Sequence, residues 1–382
     1  MAFYTPAPEP PTKLGRYRIL SSTAGVRVSP LQLGAMTIGD QWDKDGYHAM
    51  DKEYSFKLLD EYYNAGGNFI DTAINYQDGA SEEFLGEWME LRGNRDQMVI
   101  ATKYTGNAKK AVDLPIKINY YGNHRKSLKA AVETSLKRLR TNYIDVYYVH
   151  IWAFDASIEE VMSSLHNLVV SGKVLYLDTP AWIVSKANEW ARSHGKTPFS
   201  IYQGKWSILD RSFERDIIPM ARSEGLALAP WGVIGGGRLR TDEEERIRKE
   251  TGENGRLYFS STWERTENEV KISRKLEEVA KEVGASSIQA VAIAYVMHKT
   301  PYVFPIIGIR KAEQLKGAIQ ALDVKLSPAQ ITALESVLPF DTGFPHNFIG
   351  NGIGNNAFVV TAGHADPWMP MPALPESFAD KE

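Results

Sequence analysis

Eight short apolar runs recur along this chain, at residues 31–36, 69–71, 98–102, 144–149, 174–177, 199–202, 226–229 and 303–307, and most are followed by a stretch with helical spacing. Strands this short and this apolar are buried on both faces, and parallel neighbours need a crossover that a helix usually supplies. Eight such units, spread over more than the roughly 250 residues typical of the fold, predict a closed (β/α)8 TIM barrel. The alternative is an open doubly wound sheet. It more often carries Gly-x-Gly-x-x-Gly after its first strand, and the sequence has none there.

The remaining segments fit around that rhythm. Arg16–Leu20 and Gly25–Ser29 predict an N-terminal hairpin. Apolar spacing predicts helices over 53–64, from Ser81 onward, and over 124–139, 157–170, 185–194, 213–223, 267–283, 287–298, 311–322 and 328–337. Residues 1–13 are rich in proline and lack a period, so they read as a flexible arm ahead of a single barrel domain over 14–340. Residues 235–266, glycine-rich and then highly charged, break the pattern and read as a loop insertion over one face. Residues 341–382 read as a tail packing on or near the barrel mouth.

In a barrel, the loops after the strands converge on one mouth, and chemistry sits there. Four of the runs are closed in this way: 69–71 ends on Asp71, and Lys103, His150 and Gln203 follow theirs. Tyr76 lies five positions beyond Asp71. Each residue alone has an ordinary role, as a turn cap, a solvated cation or a satisfied core imidazole. Four together favour a shared site. A phenol with a pKa near 10 is a weak donor at neutral pH, and lowering it by ~3 units takes about 4 kcal/mol. A lysine in a dry pocket can supply that. Asp71 would orient Lys103, His150 would hydrogen-bond the substrate oxygen or share the proton, and Tyr76 would protonate that oxygen. Such a set suits carbonyl reduction, with hydride delivered by a nicotinamide cofactor because no side chain can deliver it.

The bulk numbers narrow the class further. With 44 basic and 47 acidic residues, net charge −3 and no basic domain, nucleic acid is not an expected partner. No run approaches the ~18 apolar residues of a membrane span, and no signal peptide is evident, so a soluble cytoplasmic protein is expected. The absence of cysteine excludes disulfides and thiolate metal sites. The eight histidines show no His-x-His or His-Glu-x-x-His spacing, so no metal is expected.

Several segments carry a family resemblance: Leu33–Gly39, Asn68–Tyr76, Ser81–Gly86, Ile100–Lys103, Ser135–His150 and Ile306–Lys311. Over about residues 15–340 the chain resembles the aldo-keto reductases. Its proline-rich start and Ser200–Trp206 resemble the fungal aryl-alcohol dehydrogenase and norsolorinic acid reductase group. The resemblance implies NADPH as cofactor and Asp71, Tyr76, Lys103 and His150 as the catalytic set. It implies that Thr37, Asp71, Asp178, Gln203, Trp231, Gly235, Gly237, Leu239, Arg310 and Gln314 bind the cofactor: Gln203 at the carboxamide, Trp231 stacked on the nicotinamide, Gly235, Gly237 and Leu239 near the pyrophosphate, Arg310 at the 2′-phosphate and Gln314 at the adenosine end. Arg310 suits its task because a guanidinium fork matches phosphate oxygens. Trp42, Trp152 and Phe154 are candidates for an apolar wall against an aromatic or bulkier polyketide-type substrate.

Two departures stand out. The family usually reads Gly-x-Ser-Asn or Gly-x-Ser-Asp after the strand at 174–177, whereas this chain passes from Leu177 directly to Asp178 and Thr179. Asp178 would then serve at the carboxamide, with Thr179 in place of the missing hydroxyl. Ala318 also stands where the family commonly has an asparagine near the adenine. The alternative to an enzyme is therefore an NADPH-binding sensor or partner subunit whose activity is weakened by the missing segment.

Overall fold

The computed structural model describes residues 6–42, 49–179, 183–252, 262–350 and 357–363. Strands β1 (Arg18–Ser21) and β2 (Ala24–Val28) form an antiparallel hairpin. Then β3 (Gln32–Gly34), β4 (Phe69–Asp71), β5 (Val99–Tyr104), β6 (Ile144–Val149), β7 (Val174–Asp178), β8 (Ile201–Lys205), β9 (Ala227–Trp231) and β10 (Ile306–Gly308) make an eight-stranded parallel sheet, in the order β10-β3-β4-β5-β6-β7-β8-β9. The ends of that order meet just ahead of β10. Leu228 pairs in parallel with Val303, the Leu228 amide donates to Tyr302 O at 2.8 Å, and the Phe304 amide donates to Leu228 O at 2.8 Å. The sheet is the expected (β/α)8 barrel.

Helices α1 (Lys52–Asn64), α2 (Ala80–Arg92), α3 (Arg125–Arg138), α4 (Ile158–Val170), α5 (Val184–Ser193) and α6 (Ile217–Glu224) follow successive strands. After β9 come α7 (Asp242–Thr251), α8 (Glu267–Val283) and α9 (Ile288–Lys299), and after β10 come α10 (Ala312–Gln320) and α11 (Pro328–Val337). Most starts have a local cause. Asp51, His124, Ser157, Thr266, Ser287 and Ser327 each cap a helix by accepting from a backbone N–H of its first turn. Thr241 and Glu244 form a reciprocal capping box that starts α7 inside the expected loop insertion. That helix was missed because the density of charge hid the Thr-x-x-Glu signal.

The expected strand at 199–202 begins later and runs to Lys205. Asn188 on α5 takes the backbone of Phe199, accepting from its N–H at 2.8 Å, so pairing along the sheet starts at Ile201. Gln203 is consequently mid-strand and does not follow the strand end.

Period-two alternation separates two cores. Odd positions of β4 and β5 and even positions of β6 point inward: Phe69, Val99, Ala101, Val146 and Tyr148 pack with Ile201, Ala227, Ala229 and Phe304. Leu20, Ala24 and Val28 of the hairpin join this inner cluster, beside the first residues of β4 and β5, and so close the bottom of the barrel. The other parity faces the helices in a much larger outer core.

Tyr62 on α1 ties this bottom together. Its buried hydroxyl lies within hydrogen-bond distance of Leu31 O at 2.9 Å and Phe69 O at 2.8 Å, which share its one proton, and of Ser29 Oγ at 2.8 Å. Tyr62→Phe leaves those groups short of a partner and is expected to cost about 1–3 kcal/mol, read as a lower urea midpoint at unchanged slope.

The described beginning of the tail packs at the start of α6. Arg215 donates to Thr342 O at 2.8 Å and Asp341 O at 3.2 Å, and His346 lies 3.2 Å from Asp216. Two further short helices, α12 (His346–Ile349) and α13 (Ala357–Ala362), follow. At the other terminus, the Thr12 hydroxyl donates to Ala65 O at 2.7 Å beyond the end of α1. Among the described residues, no helix is long and apolar enough to cross a membrane.

Candidate active site

The inward parity that fills the barrel floor continues to its mouth. On β4 it places Asp71 inside, above Phe69. On β5 it places Lys103 above Ala101, and just past the end of β6 it places His150 above Tyr148. On β8 it places Gln203 above Ile201, and on β9 Trp231 above Ala229. Four short apolar strands thus raise polar side chains into one volume because their lengths agree and their alternation is in phase.

At the centre is a buried ion pair. Lys103 Nζ donates to Asp71 Oδ1 at 2.6 Å and to Thr72 O at 2.6 Å, with the lysine side chain 1% and the aspartate 4% exposed. Asp71 Oδ2 accepts from Gln203 Nε2 at 2.8 Å. Lys103 Nζ also reaches Tyr76 Oη at 3.3 Å and lies 4.8 Å from the centre of the Tyr76 ring and 5.5 Å from that of Tyr148. Burial opposes the ammonium, but the Asp71 carboxylate and the Tyr76 hydroxyl outweigh it and hold the Lys103 pKa above its ordinary value. His150 stands edge-on to Tyr76, with ring centres 6.0 Å apart. Burial, with help from the Lys103 charge, pushes its pKa down to about 3.

Tyr76 is carried by the loop from Thr72 to Gly79. The fold of that loop depends on two left-handed residues that are not glycine, Gln77 at φ 50° and Asp78 at φ 52°. The buried Gln77 side chain secures one side of it. Its Oε1 accepts from the amides of Gln41 at 3.0 Å and Trp42 at 2.8 Å, and its Nε2 donates to Met36 O at 3.0 Å. Gln77 has no counterpart in the reading of the sequence. Its only signal there was its place beside the tyrosine.

The other candidates are distributed around this centre. Trp42 is half-buried and edge-on to Tyr76, with centres 6.3 Å apart. Trp152 packs into the outer core, while Phe154 is 73% exposed. Asp178 ends β7 on the inner face, beside its register partner Tyr148, and is fully buried with Thr179. Burial pushes the Asp178 carboxyl well above the ordinary carboxylate range, and the nearby Asp71 charge adds to this. Gly235, Gly236 and Gly237 all have left-handed backbones, and a Cβ at Gly236 or Gly237 would meet none of the described residues within 4 Å. Leu239 is buried. Arg310 follows β10 and is half-buried, and the Gln314 side chain accepts from its amide at 2.8 Å. Ala318 is buried on α10.

The residues present fit a nicotinamide dinucleotide. Thr37 Oγ1, Asp178 Oδ2 and Thr179 Oγ1, at or near the upper ends of β3 and β7, are buried with no hydrogen-bond partner among the described residues. Buried polar atoms are nearly always satisfied, so this group of donors and acceptors suits an amide arriving from outside. The glycine run offers open backbone of the kind that receives pyrophosphate oxygens, and Trp231 offers a flat face at the mouth.

Comparison with known proteins agrees with the geometry. Residues 30–339 match the aldo/keto reductase family. The chain is 56% identical over 382 residues to an aryl-alcohol dehydrogenase (NADP+) of Phanerodontia chrysosporium, covering 98% of this chain and 99% of the relative. It is 56% identical over 353 residues to a putative aryl-alcohol dehydrogenase of Saccharomyces cerevisiae, covering 91% and 93%. It is 50% identical over 347 residues to a norsolorinic acid reductase of Emericella nidulans, covering 90% and 87%. A barrel with an inward Asp-Lys-Tyr chain at its mouth, matched over most of its length, belongs to the aldo/keto reductase family.

Proposed function

We propose that this protein reduces an aromatic aldehyde or ketone to the alcohol, reversibly, with Tyr76 as the proton donor. The chain is an oxidoreductase, and its cofactor is NADP(H). The observation that carries the reading is the contact series from Asp71 through Lys103 to Tyr76, at 2.6 Å and 3.3 Å.

Tyr76 gives its proton to the carbonyl oxygen, and the phenolate left behind faces the Lys103 ammonium. That charge favours the phenolate and makes Tyr76 the stronger acid. Asp71 keeps Lys103 charged and aimed, and it touches neither substrate nor proton. A neutral His150 donates an N–H to the same oxygen. The bound nicotinamide supplies hydride to the carbonyl carbon. Gln203, Asp178 and Thr37 would hold its carboxamide, Trp231 its ring, the glycine run with Leu239 its pyrophosphate, and Arg310 with Gln314 its adenosine end. Trp42, beside Tyr76, would meet the aromatic ring of the substrate. In the reverse direction the Tyr76 phenolate takes the proton of the alcohol.

The test is to mix the purified protein with NADPH and anisaldehyde and follow cofactor absorbance. Consumption is expected. A second reading, an NADPH-binding protein without turnover, is favoured by one observation: among the described residues, β7 and β8 share a single register pair, Asp178 with Ile201, next to the shortened loop. Binding without consumption would select it, and absence of binding would remove both.

The protonation of His150 has its own test. With its pKa down at about 3, the imidazole stays neutral across the working range. Its ring-proton NMR signal is expected to stay fixed between about pH 5 and about pH 8, whereas an unperturbed histidine titrates near 6.5. A titration there would exclude the neutral donor.

A further inference from the structure

Tyr76 must stand in one place relative to Lys103, yet its loop has little regular structure to hold it. Two non-glycine residues in left-handed conformation cost on the order of 1–3 kcal/mol each and persist only where their surroundings over-determine them. Gln77 supplies the constraint on the side facing β3. The opposite side is held from α3. Arg138, in the last turn of α3, donates from Nη1 to Ile74 O at 2.7 Å and from Nη2 to Asp78 O and Ala108 O at 3.5 Å each. These carbonyls bracket Tyr76 in sequence and include the loop after β5. The guanidinium lies flat against Gly79, where any Cβ would collide with it. Its side chain is only 13% exposed.

Of its two acidic partners among the described residues, Glu83, 3.7 Å from Nε, is exposed, and the nearer one is buried. Glu82, with no exposure, stands 3.4 Å from Arg138 Nη1 and accepts from Thr102 Oγ1 at 2.7 Å. Thr102 precedes Lys103 on β5 and points to the opposite face. One carboxylate therefore links the strand that carries the lysine to the arginine that grips the loop carrying the phenol. Close packing reinforces the link: at Gly86 on α2, a Cβ would collide with the backbone of Arg138 and Leu139.

We propose that Arg138, seated by Glu82, is a positioning residue for the reaction. From outside the mouth it fixes the distance between the Tyr76 hydroxyl and the Lys103 ammonium. This rests on the reading of Tyr76 as the proton donor. A planar five-donor fork is needed to reach three carbonyls and a carboxylate, which a lysine cannot do.

The test uses the full chain as Arg138→Gln and Arg138→Lys beside Tyr76→Phe, with NADP and anisyl alcohol. Two quantities are read: kcat against pH, and the NADPH dissociation constant by quenching of protein fluorescence. A displaced phenol costs roughly 10²-fold in rate, so Arg138→Gln is expected to lower kcat by about that factor while cofactor affinity changes less than about threefold. Oxidation needs the phenolate, so the acidic limb of the profile should move up by about one unit or more, toward the ordinary phenol value of about 10. Arg138→Lys should fall between that variant and the unaltered protein. If Arg138→Gln does not fold, Arg138→Lys decides alone, because it keeps a cation beside Glu82. Folded variants with an unmoved limb and unaltered kcat would overturn the positioning role while leaving the donor intact, provided Tyr76→Phe is inactive. Turnover retained by Tyr76→Phe would instead overturn the donor reading on which the inference stands.

Discussion

Tyr76→Phe is expected to fold, to bind NADPH with unaltered affinity, and to lose turnover by about 10²–10⁴-fold, the range for removing a general acid. The fold should survive because the ring keeps its neighbours. Trp42 and His150 meet it edge-on, with centres 6.3 Å and 6.0 Å away, and neither contact depends on the hydroxyl. The backbone bond from the Tyr76 amide to Ala73 O, at 3.0 Å, is also unaffected. The substitution deletes one oxygen, the one 3.3 Å from Lys103 Nζ. Rate and affinity should therefore separate, which distinguishes a proton donor from a packing residue. Single-turnover absorbance change and fluorescence quenching measure the two independently. A variant that reduces anisaldehyde at the unaltered rate would remove Tyr76 from the chemistry and leave His150 as the remaining donor near the mouth.

The parts of this site that the sequence made legible share a cause. Asp71, Lys103 and His150 could be read because a parallel barrel sends every strand end to one mouth, and alternation fixes which end residues face inward. Only apolar runs and their last residues are needed for that. Loop residues obey no such period. Trp152 and Phe154 looked equivalent two positions apart, yet one packs into the outer core and the other is exposed, with Phe154 at φ 59°. Gln77 and Arg138 were invisible for a related reason. Their work is done by hydrogen bonds to backbone carbonyls and amides distant in sequence, and no spacing rule anticipates such bonds. Arg138 has no assigned part in the sequence, where it lies within the expected helix over 124–139; the structure puts it in the last turn, where cations are common on account of the helix dipole.

Lys103→Met should be the most damaging single change to both stability and rate. Removing one partner of a buried pair leaves an uncompensated charge and typically costs about 3–5 kcal/mol. Here that charge is Asp71, only 4% exposed, left with Gln203 as its remaining side-chain partner. The effect has a sign that can be checked. Burial already raises the Asp71 pKa above its unfolded value of about 3.9, and without the ammonium that opposes this it rises further. The folded state then binds a proton that the unfolded state releases, so stability falls as pH rises above about 4 and levels off once pH passes the folded pKa. Urea midpoints for Lys103→Met should accordingly be lower at neutral pH than at pH near 5. In the intact protein burial already holds the Asp71 pKa above its ordinary value against the pull of Lys103 and Gln203, so a trend of the same sign is present there and the variant widens its pH window. Adding Asp71→Asn to Lys103→Met removes the orphaned charge and should recover much of the lost stability, since replacing a whole buried pair is often nearly neutral. Activity should not return, because Tyr76 still lacks the cation that stabilises its phenolate. Recovered stability without recovered turnover would separate the two duties of Lys103, as the partner of Asp71 in the barrel core and as the group that makes a phenol acidic enough to donate. Recovery of both would mean that the ion pair only supports the fold.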